Sequence, residues 1–93
     1  MLQTKLLIPD EIVKLIRNLH PDLKKRVKKS LNMILEKSSK GKVLKNELFG
    51  LLSYRVKRFR IIYRIKSSVQ IEIITIGPRK YIYEETFRIV KRL

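Results

Sequence analysis

Arg55, Arg60, Arg79 and Tyr83 carry the reactive possibilities of this chain. The two arginines of the first pair lie on neighbouring segments of alternating hydrophobicity, Leu52 to Lys57 and Phe59 to Lys66, which read as adjacent strands. A turn centred on Lys57-Arg58 sets Arg55 opposite Arg60, Val56 opposite Phe59, Tyr54 opposite Ile61 and Leu52 opposite Tyr63. One side of that hairpin is then apolar and belongs against the core, while the other carries two like charges face to face. Such a pair destabilises a free sheet, and no carboxylate lies between Leu48 and Ile71 to relieve it. An anion between the two guanidinium groups does relieve it, and guanidinium grips phosphate through two parallel hydrogen bonds. Arg79 and Lys80 follow Gly77-Pro78, with Tyr81 and Tyr83 interleaved. A glycine-proline turn can carry this segment across the end of the sheet. Cations for phosphate and an aromatic plane for a base are what a single RNA strand requires. Tyr81 reads more readily as a core or edge aromatic, whereas for Tyr83 the core and the base-stacking readings both stand.

Other chemistries are excluded by composition. The chain has no cysteine and a single histidine, His20, so thiolate zinc sites, disulfides and histidine triads fall away. No metal or cofactor is expected. With no usable histidine and no paired carboxylate, catalysis at this site has to rest on positioning and on stabilising phosphate charge. Arginine cannot serve as a base at neutral pH, whereas a lysine or tyrosine crowded by guanidinium groups is a better proton carrier. The overall balance is 23 Lys and Arg against 8 Asp and Glu, a net charge of +15. That imbalance bears on association with polyanions more than on fold. Between Lys40 and Tyr83 the bases outnumber the acids, Glu47 and Glu72, by 11 to 2, and arginine gathers in the strands.

The elements that must hold these groups fit one domain spanning residues 1–93. A hydrophobic content of 44% supports a real core and excludes a disordered basic tail. Leu2 to Ile8 reads as a short first strand closed by Pro9. Ile12, Leu15, Ile16 and Leu19 recur at helical spacing over Asp10 to Leu19, with Asp10 and Glu11 where a helix dipole favours acids. His20-Pro21 breaks that helix, and His20 reads as a cap or surface residue. A second helix over Asp22 to Lys37 carries Leu23, Val27, Leu31, Ile34 and Leu35 on one stripe, with lysines mainly on the other side. Ser38 to Lys42 reads as a loop. After the two strands of the hairpin, Val69 to Ile76 reads as a third strand that Gly77-Pro78 ends, and Glu84 to Leu93 as a short basic helix. The expected fold class is α+β: a short N-terminal strand, an antiparallel helix pair, a three-stranded antiparallel meander and a short C-terminal helix. No apolar run is long enough to span a bilayer. The first ten residues lack the pattern of a signal peptide, so a cytoplasmic location away from membranes is expected.

The runs Gly50-Leu51-Leu52-Ser53-Tyr54-Arg55-Val56-Lys57-Arg58-Phe59-Arg60-Ile61-Ile62-Tyr63-Arg64-Ile65 and Ile76-Gly77-Pro78-Arg79-Lys80-Tyr81-Ile82-Tyr83-Glu84 resemble the RelE/ParE toxin superfamily. These proteins are the toxin halves of type II toxin–antitoxin pairs, and the resemblance extends over nearly the whole chain. It implies a small RelE-like fold. Its RelE branch implies a metal-independent, ribosome-dependent mRNA endoribonuclease in which the RNA 2′-hydroxyl attacks the adjacent phosphate. On that resemblance Arg55 or Lys57, with Arg60 and Arg79, would hold the scissile phosphate, and Tyr83 would stack on a base or help with proton transfer. With the site residues so implied, Lys57 and Tyr83 are the candidates for proton transfer. Lys45, Arg58, Arg64, Lys80 and Tyr81 complete the expected RNA-contacting set. A basic residue that ribonuclease members often carry two positions before Arg55 is Ser53 here. The ParE branch, directed at DNA gyrase, shares the fold, and an inert basic RNA-binding module is the third reading. The partners implied are mRNA on the ribosome and a cognate antitoxin, small, acidic and helical.

Overall fold

The structure is a computed structural model, and it describes residues 4–92. Strand β1 (Lys5–Leu7) leads into helix α1 (Asp10–Arg17) and helix α2 (Pro21–Glu36). A single helical turn at Ser38–Lys40 precedes strand β2 (Lys42–Val43), and a second at Asn46–Leu48 precedes strand β3 (Leu52–Val56). Strands β4 (Phe59–Ser67) and β5 (Gln70–Pro78) follow, then helix α3 (Arg79–Arg92). The strands form one mixed five-stranded sheet in the order β1-β5-β4-β3-β2. The expected meander is its centre. Two edges were not legible as such: β1 pairs parallel with β5, and β2, whose Lys42 was expected to end a loop, pairs antiparallel with β3. The outer parts of the first expected strand and last expected helix, Leu2 to Gln3 and Leu93, lie outside the described residues.

The α1–α2 junction follows from His20-Pro21. The residue before a proline avoids the helical region, and His20 is extended at φ −53°, ψ 139°. Proline then opens α2 at its first turn, where its missing N–H forfeits nothing, and His20 Nδ1 accepts from the Asp22 N–H at 3.2 Å. His20 is therefore a cap, as expected. Helix α1 stops at Arg17, two residues short of expectation, and the Asn18 side chain donates to the Lys14 carbonyl at 3.0 Å.

The two faces of the sheet are both covered. On one, Ile12 and Ile16 of α1 and Val27, Leu31 and Ile34 of α2 pack on Leu52, Val56, Ile61, Tyr63, Ile71, Ile73 and Ile76. On the other, Ile82 of α3 packs on Ile62, Leu44 and Leu51. A bulge opposite the Ile62–Tyr63 step shifts the register of β5, so that Ile73 faces the first cluster and Ile74 packs against the second. The Tyr63 hydroxyl donates to the Ser38 carbonyl at 2.6 Å and accepts from the Gly41 N–H at 2.9 Å, tying the segment before β2 to the core. Burial pushes the Tyr63 phenol above its ordinary 10.0, and the Gly41 N–H pulls the other way.

Helix α3 begins five residues before the expected position. Gly77-Pro78 does not end the sheet in a turn; β5 runs through Pro78 and the helix starts at the next residue. A proline immediately before a helix forfeits no helical hydrogen bond. Gly77 is set by packing, because a Cβ there would stand 3.1 Å from Ile82 Cδ1.

Candidate functional site

The site is built where the β3–β4 turn meets the start of α3. The hairpin register sets Arg55 opposite Arg60, Val56 opposite Phe59, Tyr54 opposite Ile61 and Leu52 opposite Tyr63. Arg60 in turn lies opposite Gly77 on β5. The turn itself is Lys57-Arg58, with Lys57 at φ 58°, a left-handed conformation that a residue with a Cβ adopts at a cost. Arg55 Nε donates to the Lys57 carbonyl at 3.3 Å, which holds its guanidinium over the turn. The Arg79 N–H donates to the Arg58 carbonyl at 2.7 Å, so the first residue of α3 is fastened to the same turn.

Between these elements lies a cleft of about 460 Å³ lined by Arg55, Lys57, Arg58, Pro78, Arg79 and Lys80. Five cationic side chains and no carboxylate line it, and none of the five enters an ion pair among the described residues. The first turn of α3 contains no acidic residue. Arg79 and Lys80 thus sit at the end of the helix where the dipole favours anions and disfavours cations. Like-charge opposition in the hairpin and cations at a helix N-terminus make the same physical demand, an anion in the cleft.

Tyr83 lies one turn along α3 from Arg79 and therefore on the same side of the helix. Its hydroxyl is 3.4 Å from Ser53 Oγ, and Ser53, two residues before Arg55, shares the Arg55 side of β3. Tyr83 is half-buried against the second cluster, with its hydroxyl toward the sheet. Tyr81, read from sequence as core or edge, is instead 58% exposed, with Lys80 Nζ 5.6 Å from its ring centroid. Arg60 is half-buried, and its Nε is shielded from solvent without a hydrogen-bond partner. A buried guanidinium nitrogen left unpaired is costly.

The structure thus brings together Arg55, Lys57, Arg58, Arg79 and Lys80 around one cleft, with Arg60 paired beside Arg55 and Tyr83 next to Ser53. It does not bring in Arg64 or Lys45. Arg64 is four positions along β4 from Arg60, roughly 13 Å at the rise of a strand, and its guanidinium is paired with Glu72. Lys45 lies beyond the Leu44–Leu51 contact, at the end of β3 away from the turn. The cationic surface is an end of the sheet and not its face, since α3 covers Ser53, Ile62 and Thr75, all buried. Ser53 was missed as a partner of Tyr83, although strand alternation places it on the Arg55 side. No group of three or more potential metal ligands occurs among the described residues. None of their helices is long and apolar enough to cross a membrane.

Residues 9–83 match the family model described as the ParE toxin of type II toxin–antitoxin system, parDE. No curated protein sequence matches the chain. Among solved structures the fold is similar to the Escherichia coli toxin RelE, an arginine-to-alanine double mutant in the free state. That match has 20% identity and a TM-score of 0.74, over 100% of this chain and 99% of that one. It is also similar to a chain of the RelBE2 toxin–antitoxin complex from Mycobacterium tuberculosis, at 21% identity and TM-score 0.71, over 84% and 100% of the two chains. The archaeal RelE–RelB complex from Pyrococcus horikoshii OT3 gives 23% identity and TM-score 0.64, over 84% and 97%.

Proposed function

This chain belongs to the ParE toxin family of type II toxin–antitoxin systems, and we propose that within it the chain follows the RelE branch of chemistry and is an endoribonuclease that cuts mRNA on the ribosome. The observation that carries this reading is the cleft in which Arg55, Lys57, Arg58, Arg79 and Lys80 converge with no carboxylate among them. The fold is like that of the toxin RelE, but the ParE branch shares it, so the choice of chemistry rests on the cleft. In the reaction the RNA 2′-oxygen forms a bond to the adjacent phosphorus while the bond to the 5′-oxygen breaks. The products are a 2′,3′-cyclic phosphate and a 5′-hydroxyl. Arg55, Arg60 and Arg79 hold the phosphate and neutralise the charge that grows on its equatorial oxygens, where a single lost donor typically costs about 10²–10³ in rate. One proton leaves the 2′-hydroxyl and one reaches the departing 5′-oxygen. Guanidinium holds its proton throughout, so we assign these transfers to Lys57, on the turn beside Arg55, and Tyr83, one helical turn from Arg79.

The protein's partner on this reading is a small acidic, helical antitoxin, supported by the RelB complexes formed by the toxins this fold resembles. An acidic segment meets the same demand in the cleft as a phosphate does. The test is induction of the chain in cells with mapping of mRNA ends, beside an Arg60→Ala, Arg79→Ala double variant. New ends bearing 5′-hydroxyl groups, absent in the variant, are the expected outcome. Growth arrest with intact message and DNA damage signalling would replace this reading with a gyrase-directed one.

A further inference from the structure

A second depression adjoins the cleft on its other side. It is a groove of about 910 Å³ between α2 and the β3–β4 turn. Leu23, Lys25, Arg26 and Lys29 of α2 line one side, and Lys57, Arg58 and Phe59 of the hairpin line the other. None of the five cations enters an ion pair among the described residues. Asp22 is the only acid that lines it. Lys57 and Arg58 line both the groove and the cleft, so the two depressions form one continuous path around the turn.

We infer that this groove carries the stretch of single-stranded RNA that flanks the phosphate held in the cleft. The inference rests on the nucleic-acid reading of the cleft given above. A polymer with one charge per nucleotide, seated on Arg55 and Arg79, leaves the cleft over Lys57 and Arg58 and meets α2 next. There Lys25 and Lys29 stand one helical turn apart, with about 5–6 Å between their Cβ atoms. That spacing is of the order of the repeat of an extended nucleic-acid backbone. Lys25, Arg26 and Lys29 are all exposed on the helix, and the α2 stripe that faces the groove runs from Asp22 to Asn32, about 15 Å. Phe59, which is half-buried, and Leu23 give a base an apolar surface among these cations. These α2 residues take no part in the reaction; they hold the strand beyond it.

The test uses the whole protein and 2′-O-methyl oligonucleotides, which lack the attacking hydroxyl and so report binding alone. One probe is about four nucleotides long and the other about twelve, within the range that single-strand sites cover. Affinity is measured across a salt series for wild type, for Lys25→Ala/Arg26→Ala/Lys29→Ala, and for Lys40→Ala/Lys66→Ala/Lys91→Ala. The last removes equal charge from residues that line neither depression. Alanine is the best helix former, so the α2 variant keeps its helix. For the longer probe, three lost phosphate contacts lower the steepness of log K against log salt by about 2, while the control triple and the shorter probe show little change. Equal slopes for the two triple variants would overturn the inference, since net charge alone would then account for the binding. Weaker binding of an acidic antitoxin by the α2 variant, with its RNA slope unchanged, would likewise overturn it and assign the groove to protein. Cleavage is scored separately. Wild type that binds the longer probe through α2 but leaves mRNA intact keeps the groove and removes the ribonuclease reading.

Discussion

Replacing Arg55 by glutamine is expected to make the protein more stable and less active at once. Arg55 opposes Arg60 across the hairpin. Opposed Cβ atoms in such a pair are about 4.5–5.5 Å apart. Taking roughly 6 Å between the guanidinium groups, Coulomb's law in a water-like medium gives about 0.7 kcal/mol of repulsion. Lys57, Arg58, Arg79 and Lys80 line the same cleft. At greater distance and with screening they add a fraction of that again. The variant loses the Arg55 Nε to Lys57 carbonyl contact, which at 3.3 Å on an exposed side chain is weak, and which a glutamine amide partly replaces. The net gain is about 0.5–1 kcal/mol, which for a domain of this size raises the melting temperature by roughly 2–8 °C. Because the origin is electrostatic, the gain should fade toward 1 M salt, where the screening length falls to about 3 Å. Thermal denaturation of both proteins at low and high salt reads this directly, beside toxicity on induction. A variant no more stable than wild type at low salt, or one whose gain survives 1 M salt, would show that Arg55 carries no unrelieved repulsion in the free protein.

Two further predictions concern the core that holds the site. Gly41→Ala should destabilise by about 1–3 kcal/mol, because a Cβ at Gly41 would stand 2.8 Å from Tyr63 Cε1; chemical denaturation measures it, and a neutral effect would show that the segment before β2 can move aside. Tyr63→Phe should cost about 1–3 kcal/mol by stranding the Ser38 carbonyl and the Gly41 N–H. The Tyr63 phenol is raised by burial above 10.0, so its contribution is complete below that pH and declines as pH rises through the higher folded value. The difference in stability between wild type and the phenylalanine variant should therefore narrow above pH 10.0, and a gap that stays constant there would refute the assignment.

The parts of this protein that were legible in sequence are those fixed by periodicity. Leu52, Val56, Ile61 and Tyr63 all lie in the core opposite the arginines because alternation and a two-residue turn leave only one register. A two-residue strand such as β2 is too short to show any period, and the parallel pairing of β1 with β5 depends on contacts distant in sequence. The start of α3 at Arg79 is hidden in the sequence because Gly77-Pro78 reads as a stop. With the helix begun at Arg79, spacing of 3.6 places Ile82 and Thr86 inward, and both are buried. That phase turns Tyr81 outward and tucks Tyr83 beside the second cluster, the reverse of the sequence expectation for Tyr81. Arg64 looked equivalent to Arg60 along the strand, yet the partner that distinguishes it, Glu72, is contributed by the next strand. The unpaired Nε of Arg60 has no signature in the sequence.

The cleft can concentrate charge because the groups that carry it lie at the ends of elements whose apolar residues are buried elsewhere. Val56 and Phe59 anchor the hairpin on one face of the sheet, and Ile82 anchors α3 on the other. The Arg79 N–H to Arg58 carbonyl bond closes the gap between them. Repulsion among the side chains therefore acts against a backbone already fixed on both sides, and the cations cannot disperse by moving the turn. The left-handed Lys57 adds a backbone cost at the turn, and on the neighbouring strand the Nε atoms of Arg60 and Arg64 are both buried without a partner. An anion that enters relieves the repulsion among the cations of the cleft, whether it is an RNA phosphate or a carboxylate of an acidic segment. On the proposed reading, RNA and antitoxin then compete for one set of cations.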